Sequence, residues 1–97
     1  MKYKNLYETV LIFKGTFNED KYKQALNKTI ERIIVYADIM TISEKGKKKL
    51  AYEISKNKVG YYVVIDFKET SESIVELERL FRISEDIIKF IVVRRDN

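Results

Sequence analysis

A chain of 97 residues with 19 basic and 15 acidic side chains, 45% hydrophobic and 35% charged residues, has room for one thin hydrophobic core and not for two. It contains no Cys and no His, which excludes disulfides, thiolate or imidazole metal sites, and the Ser-His-Asp and Cys-His nucleophile arrangements. Its longest apolar runs, Ile33 to Ala37 and Tyr61 to Ile65, are five residues long, against about 20 for a bilayer span. No long apolar stretch follows Met1 to Asn5, so the expectation is a cytoplasmic protein with a single domain over residues 1–97.

Tyr7 to Phe13 is rich in β-branched and aromatic residues and stops at Lys14-Gly15, which predicts a strand near 6–13. Asn18 is a capping residue, Glu19 and Asp20 suit the positive end of a helix dipole, and Tyr22, Leu26, Thr29, Ile30 and Ile33 follow at helical spacing; a helix is expected from 19 to about Val35. From Ile39 to Ile54 the period changes to two, with Gly46 as a bulge or kink, so a long bent strand is expected over 39–54. A polar turn at Ser55 to Gly60 leads into a strand over 60–67. Thr70 or Ser71 then caps a second helix near 70–82, with Ile74, Leu77, Leu80 and Phe81 as its apolar stripe, and Ile87 to Arg94 closes the chain as a strand.

The order β-α-β-β-α-β is the split βαβ, or ferredoxin-like, motif. Right-handed crossovers place both helices on one face of a four-stranded antiparallel sheet in order 4-1-3-2, an α+β sandwich. Each of three strands carries an internal charge, Glu8, Asp66 and Lys89, and an unpaired charge belongs on the face away from the helices. Val10, Ile12, Tyr62, Val64, Ile91 and Val93 share that open face by parity, an apolar stripe that suits a covering partner. Residues 1–60 carry thirteen basic and seven acidic side chains, and 61–97 carry six and eight. Lys45, Lys47, Lys48, Lys49, Lys56 and Lys58 lie along one hairpin with Glu53 as their acidic neighbour, a plausible phosphate footprint.

The segment Lys58 to Phe67 only partly echoes the aromatic strand of RNA-recognition motifs, since the second aromatic is misplaced. Catalytic sites that this fold hosts elsewhere lack their residues here. Gly15-Thr16-Phe17-Asn18 has no Arg for an anion cradle, and Glu19-Asp20 and Glu85-Asp86 sit at helix starts or turns. No enzyme, cofactor, metal or small-molecule substrate is expected.

Three spaced segments, Gly46-Lys47-Lys48-Lys49-Leu50-Ala51-Tyr52-Glu53-Ile54, Gly60-Tyr61-Tyr62, and Ile83 to Arg94 with its Val92-Val93-Arg94 end, make the chain resemble bacterial ribosomal small-subunit protein six from Tyr7-Glu8 to about Arg95. The family usually has Pro after Leu-Ala-Tyr, where this chain has Glu53 and so keeps a backbone donor. The resemblance implies a cytoplasmic ribosomal protein of the small subunit, bound to the central domain of its RNA together with small-subunit protein eighteen. Charge map and resemblance together assign RNA phosphate contacts to Lys2, Lys4, Lys48, Lys49, Lys56, Lys89 and Arg94, and partner contacts to Val10, Tyr62, Val64, Ile91 and Val93. From the residues alone, a basic regulatory module that binds a small ligand or its own copy is the alternative.

Overall fold

The structure, a computed structural model, describes residues 3–95. The elements run β1 (Asn5–Lys14), α1 (Glu19–Ile33), β2 (Asp38–Ile54), β3 (Asn57–Glu69), α2 (Ile74–Ile83) and β4 (Ile87–Arg94). They form one antiparallel sheet in the order β2-β3-β1-β4, the expected ferredoxin-like arrangement.

Alternation along β1 and β3 decides where the core lies. Tyr7, Thr9, Leu11 and Phe13 alternate into it from β1, and Tyr61, Val63, Ile65 and Phe67 from β3, all buried. They meet Tyr22, Ala25, Leu26 and Ile33 of α1 and Ile74, Leu77 and Phe81 of α2, with Phe90 and Val92 of β4 packed at the margin. Both helices therefore cover the same face. Near the start of α1, the Tyr22 and Tyr61 rings stack with centroids 4.1 Å apart, and the Tyr22 hydroxyl donates to Glu44 Oε1 of β2 at 2.7 Å.

Both helices differ at one end from the periodicity. The Asn18 side chain accepts from the Lys21 amide at 2.8 Å, the expected cap, but α1 ends at Ile33 rather than Val35. The amides of Tyr36 and Ala37 both bond the Ile33 carbonyl, turning the chain so that Ala37 re-enters the core while Ile34 and Val35 stay exposed. In α2 the cap residue is Ser73, not Thr70 or Ser71, and the helix starts at Ile74. Thr70 instead holds the preceding turn, its Oγ1 accepting from the Ser73 amide at 3.2 Å.

The β2–β3 hairpin is tighter than the six-residue turn expected. Ile54 pairs with Asn57 across Ser55-Lys56, whose φ values are 46° and 66°. Two consecutive positive φ values mark the type I′ turn, which matches the strand twist and favours Asn or Gly. Asn57 braces it, donating to the carbonyls of Ile54 and Ser55 and accepting from the Gly15 amide at 3.1 Å. Gly46, with φ of 86°, sits where the register shifts between Glu44 and Gly46, and is the anticipated bulge.

Candidate nucleic-acid and protein interface

The face of the sheet away from the helices is built from three cross-strand rows. Val10 lies opposite Val64 on one side and Ile91 on the other; Glu8 lies between Asp66 and Val93; Ile12 lies between Tyr62 and Lys89. The charged markers thus fall on the open face as parity required. Val10, Tyr62 and Val64 are half-buried, and Ile91 and Val93 are 49% and 44% exposed. The five expected partner-contact residues form one continuous patch.

Ile12 departs from the expected open stripe, being only 6% exposed. The cause is the end of β2. Beyond Lys49 the paired register shifts, and Leu50, also 6% exposed, folds toward the sheet. A Cβ built at Gly60 would strike the Ile12 side chain and come within 3.6 Å of Leu50, so the absence of a side chain at Gly60 leaves the space into which both side chains reach. Two residues further on, the Tyr52 hydroxyl accepts from Lys89 Nζ at 3.0 Å, and that ammonium lies 5.3 Å from the ring centroid. Tyr52 belongs to one edge strand and Lys89 to the other, so the hairpin arches over part of the face. The hydrogen bond to Tyr52 holds the Lys89 ammonium above the usual lysine range.

The residues expected to meet phosphate separate into two groups. Lys48, Lys49 and Lys56 are exposed along the hairpin. Lys48, opposite Gly60, points to the open face, and Lys49, opposite Val59, to the other. Lys89 lies near them on the open face, opposite Ile12. Among the described residues none of Lys45, Lys48, Lys49, Lys56 or Lys58 is in an ion pair, whereas Lys47 lies over the Tyr61 ring at 5.4 Å. Lys4 and Arg94 are toward the opposite end of the sheet, about 20–30 Å away along β1. There Lys4 pairs with Asp38 at 2.6 Å, and Arg94 donates to Asn5 at 3.0 Å. Lys2 lies outside the described residues.

Two features of this surface escaped the sequence reading. The arch of Leu50 and Tyr52 needs tertiary contacts, and its one sequence signal is a pair of apolar residues at alternate positions in an otherwise charged hairpin tip. The anchor at its base, Glu44, accepts from both Tyr22 and Lys23; these bonds, that from Lys23 first, lower its carboxyl pKa. The cleft between the helices, lined by Thr29, Ile33, Leu77 and Phe81 among others, encloses about 10 Å³, space for a single water and not for a small-molecule ligand.

Comparison with known proteins adds identity to this geometry. The family model described as ribosomal protein S6 matches residues 6–94. The small ribosomal subunit protein bS6 of Helicobacter acinonychis is 42% identical over 92 residues, covering 94% of this chain and 65% of that protein. That of Helicobacter hepaticus is 46% identical, with 94% and 67% covered. The chain therefore spans about two thirds of the length of the curated relatives it matches. The crystal structure of 30S ribosomal protein S6 from Thermotoga maritima superposes with a TM-score of 0.87 at 28% identity, over 95% of this chain and 88% of that one. With an α+β sandwich, an open apolar face and a family match along nearly its whole length, this chain belongs to the ribosomal protein S6 family of the small ribosomal subunit.

Proposed function

We propose that this protein is a structural, non-catalytic constituent of the small ribosomal subunit in the cytoplasm, binding the central domain of the subunit's RNA in cooperation with small-subunit protein eighteen. Lys48, Lys49, Lys56 and Lys89 meet phosphates around the hairpin. Lys4 and Arg94, with Lys2, serve as a second contact at the far end of the sheet. Val10, Tyr62, Val64, Ile91 and Val93 receive the protein partner. The observation that carries this reading is a row of exposed lysines, without ionic partners among the described residues, bordering an apolar sheet face. Unpaired lysines release counterions from a phosphate backbone without reading bases, and a contiguous apolar patch marks a protein contact.

Sedimentation tests the reading directly. The tagged protein should travel with small ribosomal subunits and resist moderate salt. Migration as a free homodimer under the same conditions would assign it instead to a self-associating module.

A further inference from the structure

Two carboxylates occupy the middle of the open face. Glu8 on β1 and Asp66 on β3 are directly opposite in the ladder, which puts their Cβ atoms about 5 Å apart. Like charges so placed destabilise a sheet pair. They are also out of keeping with a chain of net charge +4, and phosphate would be repelled from them. What surrounds them is aliphatic: Val10 and Val64 form the next cross-strand pair, and Val93 flanks Glu8 on the β4 side.

Their contacts within the chain leave capacity over. Among the described residues, Asp66 accepts one side-chain hydrogen bond, from the Thr41 hydroxyl at 2.8 Å. Glu8 has the Arg95 guanidinium at 3.8 Å, with the Arg95 side chain 56% exposed. That separation exceeds the roughly 2.7–2.9 Å of a charge-assisted hydrogen bond. A guanidinium is therefore drawn to this position without closing on it.

We propose that Glu8 and Asp66 form an arginine-receiving notch in the open face, which docks a basic segment of the protein partner presenting one guanidinium between aliphatic side chains. This rests on the reading of the face as a protein interface. A planar fork of donors spans two adjacent carboxylates better than an ammonium does, and Val10, Val64 and Val93 bury the flanking aliphatic groups. Charge then sorts the two surfaces of the molecule: the basic hairpin takes RNA, and the acidic centre of the sheet face takes a basic protein and turns RNA away.

The test measures binding of purified small-subunit protein eighteen to the full chain by calorimetry at low and moderate salt, for wild type, Glu8→Gln/Asp66→Asn and Val64→Asp. Thermal unfolding serves as the folding control, and the double variant should melt no lower than wild type because a repulsive pair is removed. The inference expects the double variant to bind roughly tenfold or more weakly and to lose most of the salt dependence. An unchanged affinity in the double variant, with Val64→Asp weakened, overturns the notch and leaves the interface standing. No binding by the wild-type chain, or no effect of any variant, overturns both. Neutralising the pair should also raise binding of ribosomal RNA in the absence of the partner, because phosphate is no longer repelled; a double variant that loses affinity for RNA alone would assign the face to RNA and also overturns the notch.

Discussion

Lys89 Nζ and Tyr52 Oη are 3.0 Å apart although they belong to the two edge strands of the sheet. Two strands lie between those edges, which in a flat sheet separates them by about 14 Å. The two long side chains reach toward each other across the open face, and Leu50, beside Ile12 in the space over Gly60, is the apolar part of the arch at the end of β2. Leu50→Ala should therefore cost about 2–3 kcal/mol in denaturant unfolding, as a buried leucine does. Tyr52→Phe keeps the ring under Lys89 and loses only an exposed hydrogen bond, and should cost clearly less than Leu50→Ala. Equal costs for the two would show that the arch is not held by Leu50.

Glu69 is fully buried at the end of β3, and neither carboxylate oxygen has a hydrogen-bond partner among the described residues. Burial pushes its carboxyl up to about 7 from an ordinary value of 4.5. Because the folded state holds this proton more tightly than the unfolded chain, stability falls as pH rises from about 4.5 to 7, by at most about 3 kcal/mol, and levels off above. Glu44 has the opposite shift, so its contribution is lost as pH falls through the acid range below 4.5. Glu69→Met should flatten the stability profile between pH 5 and 8 and raise stability at pH 8; a variant that keeps the wild-type slope would move its origin elsewhere.

The fold was legible because β1, β3 and both helices carry strong periodicity with charges at consistent parity. Glu8, Asp66 and Lys89 alone were enough to orient the sheet. The misread positions are those where a contact distant in sequence outweighs local pattern. Ile12 alternates correctly but is covered by Leu50 from 38 residues away. Glu69 lies beyond the strand expected over 60–67, and the longer β3 carries the inward alternation of Phe67 on to it, where a carboxyl is costly. Thr70 and Ser71 are both good caps by residue type, but the cap falls at Ser73, two to three residues later, where Ile74 enters the core. For the site, the apolar patch followed from parity. The distance between Lys4 with Arg94 and the hairpin lysines followed only from strand pairing.

The hairpin tip keeps Ser55 and Lys56 in left-handed conformations that Gly or Asn adopt at lower cost. Lys56→Gly should raise stability by roughly 1 kcal/mol through relief of that conformation while weakening RNA binding, because the same change removes an exposed charge. Thermal unfolding and filter binding on one variant separate the two effects. If RNA binding is unaltered while stability rises, the lysine is there for no phosphate.

Lys48 and Lys49 point to opposite sides of the β2–β3 ribbon, so a phosphate backbone that passes the hairpin on one side meets one of them closely. Neutralising both to Gln should reduce the logarithmic salt slope of RNA binding by about one to two. Single variants then identify the side: a larger effect from Lys48→Gln places the RNA beside Lys89 on the open face, and a larger effect from Lys49→Gln places it toward the helices. An unchanged slope in the double variant returns both lysines to solvent.

Order of assembly is the last consequence of the geometry. A few exposed lysines give weak binding at cellular salt, and the patch around Val10, Val64, Ile91 and Val93 offers only a few hundred Å² of apolar contact. Two such surfaces engaged at once raise the effective concentration of each partner at the other's site, so tight binding to the central-domain RNA should require the pair. Val64 is half-buried on the open face, between Ser43 and Val10, and a carboxylate there can reach water without entering the core. Val64→Asp should accordingly leave the isolated protein folded, weaken its union with protein eighteen, and lower RNA binding only when that partner is present. Binding by this protein alone as tight as that of the pair would remove the cooperative step. Unfolding of the variant would mean that the open face supports the core more than its exposure indicates.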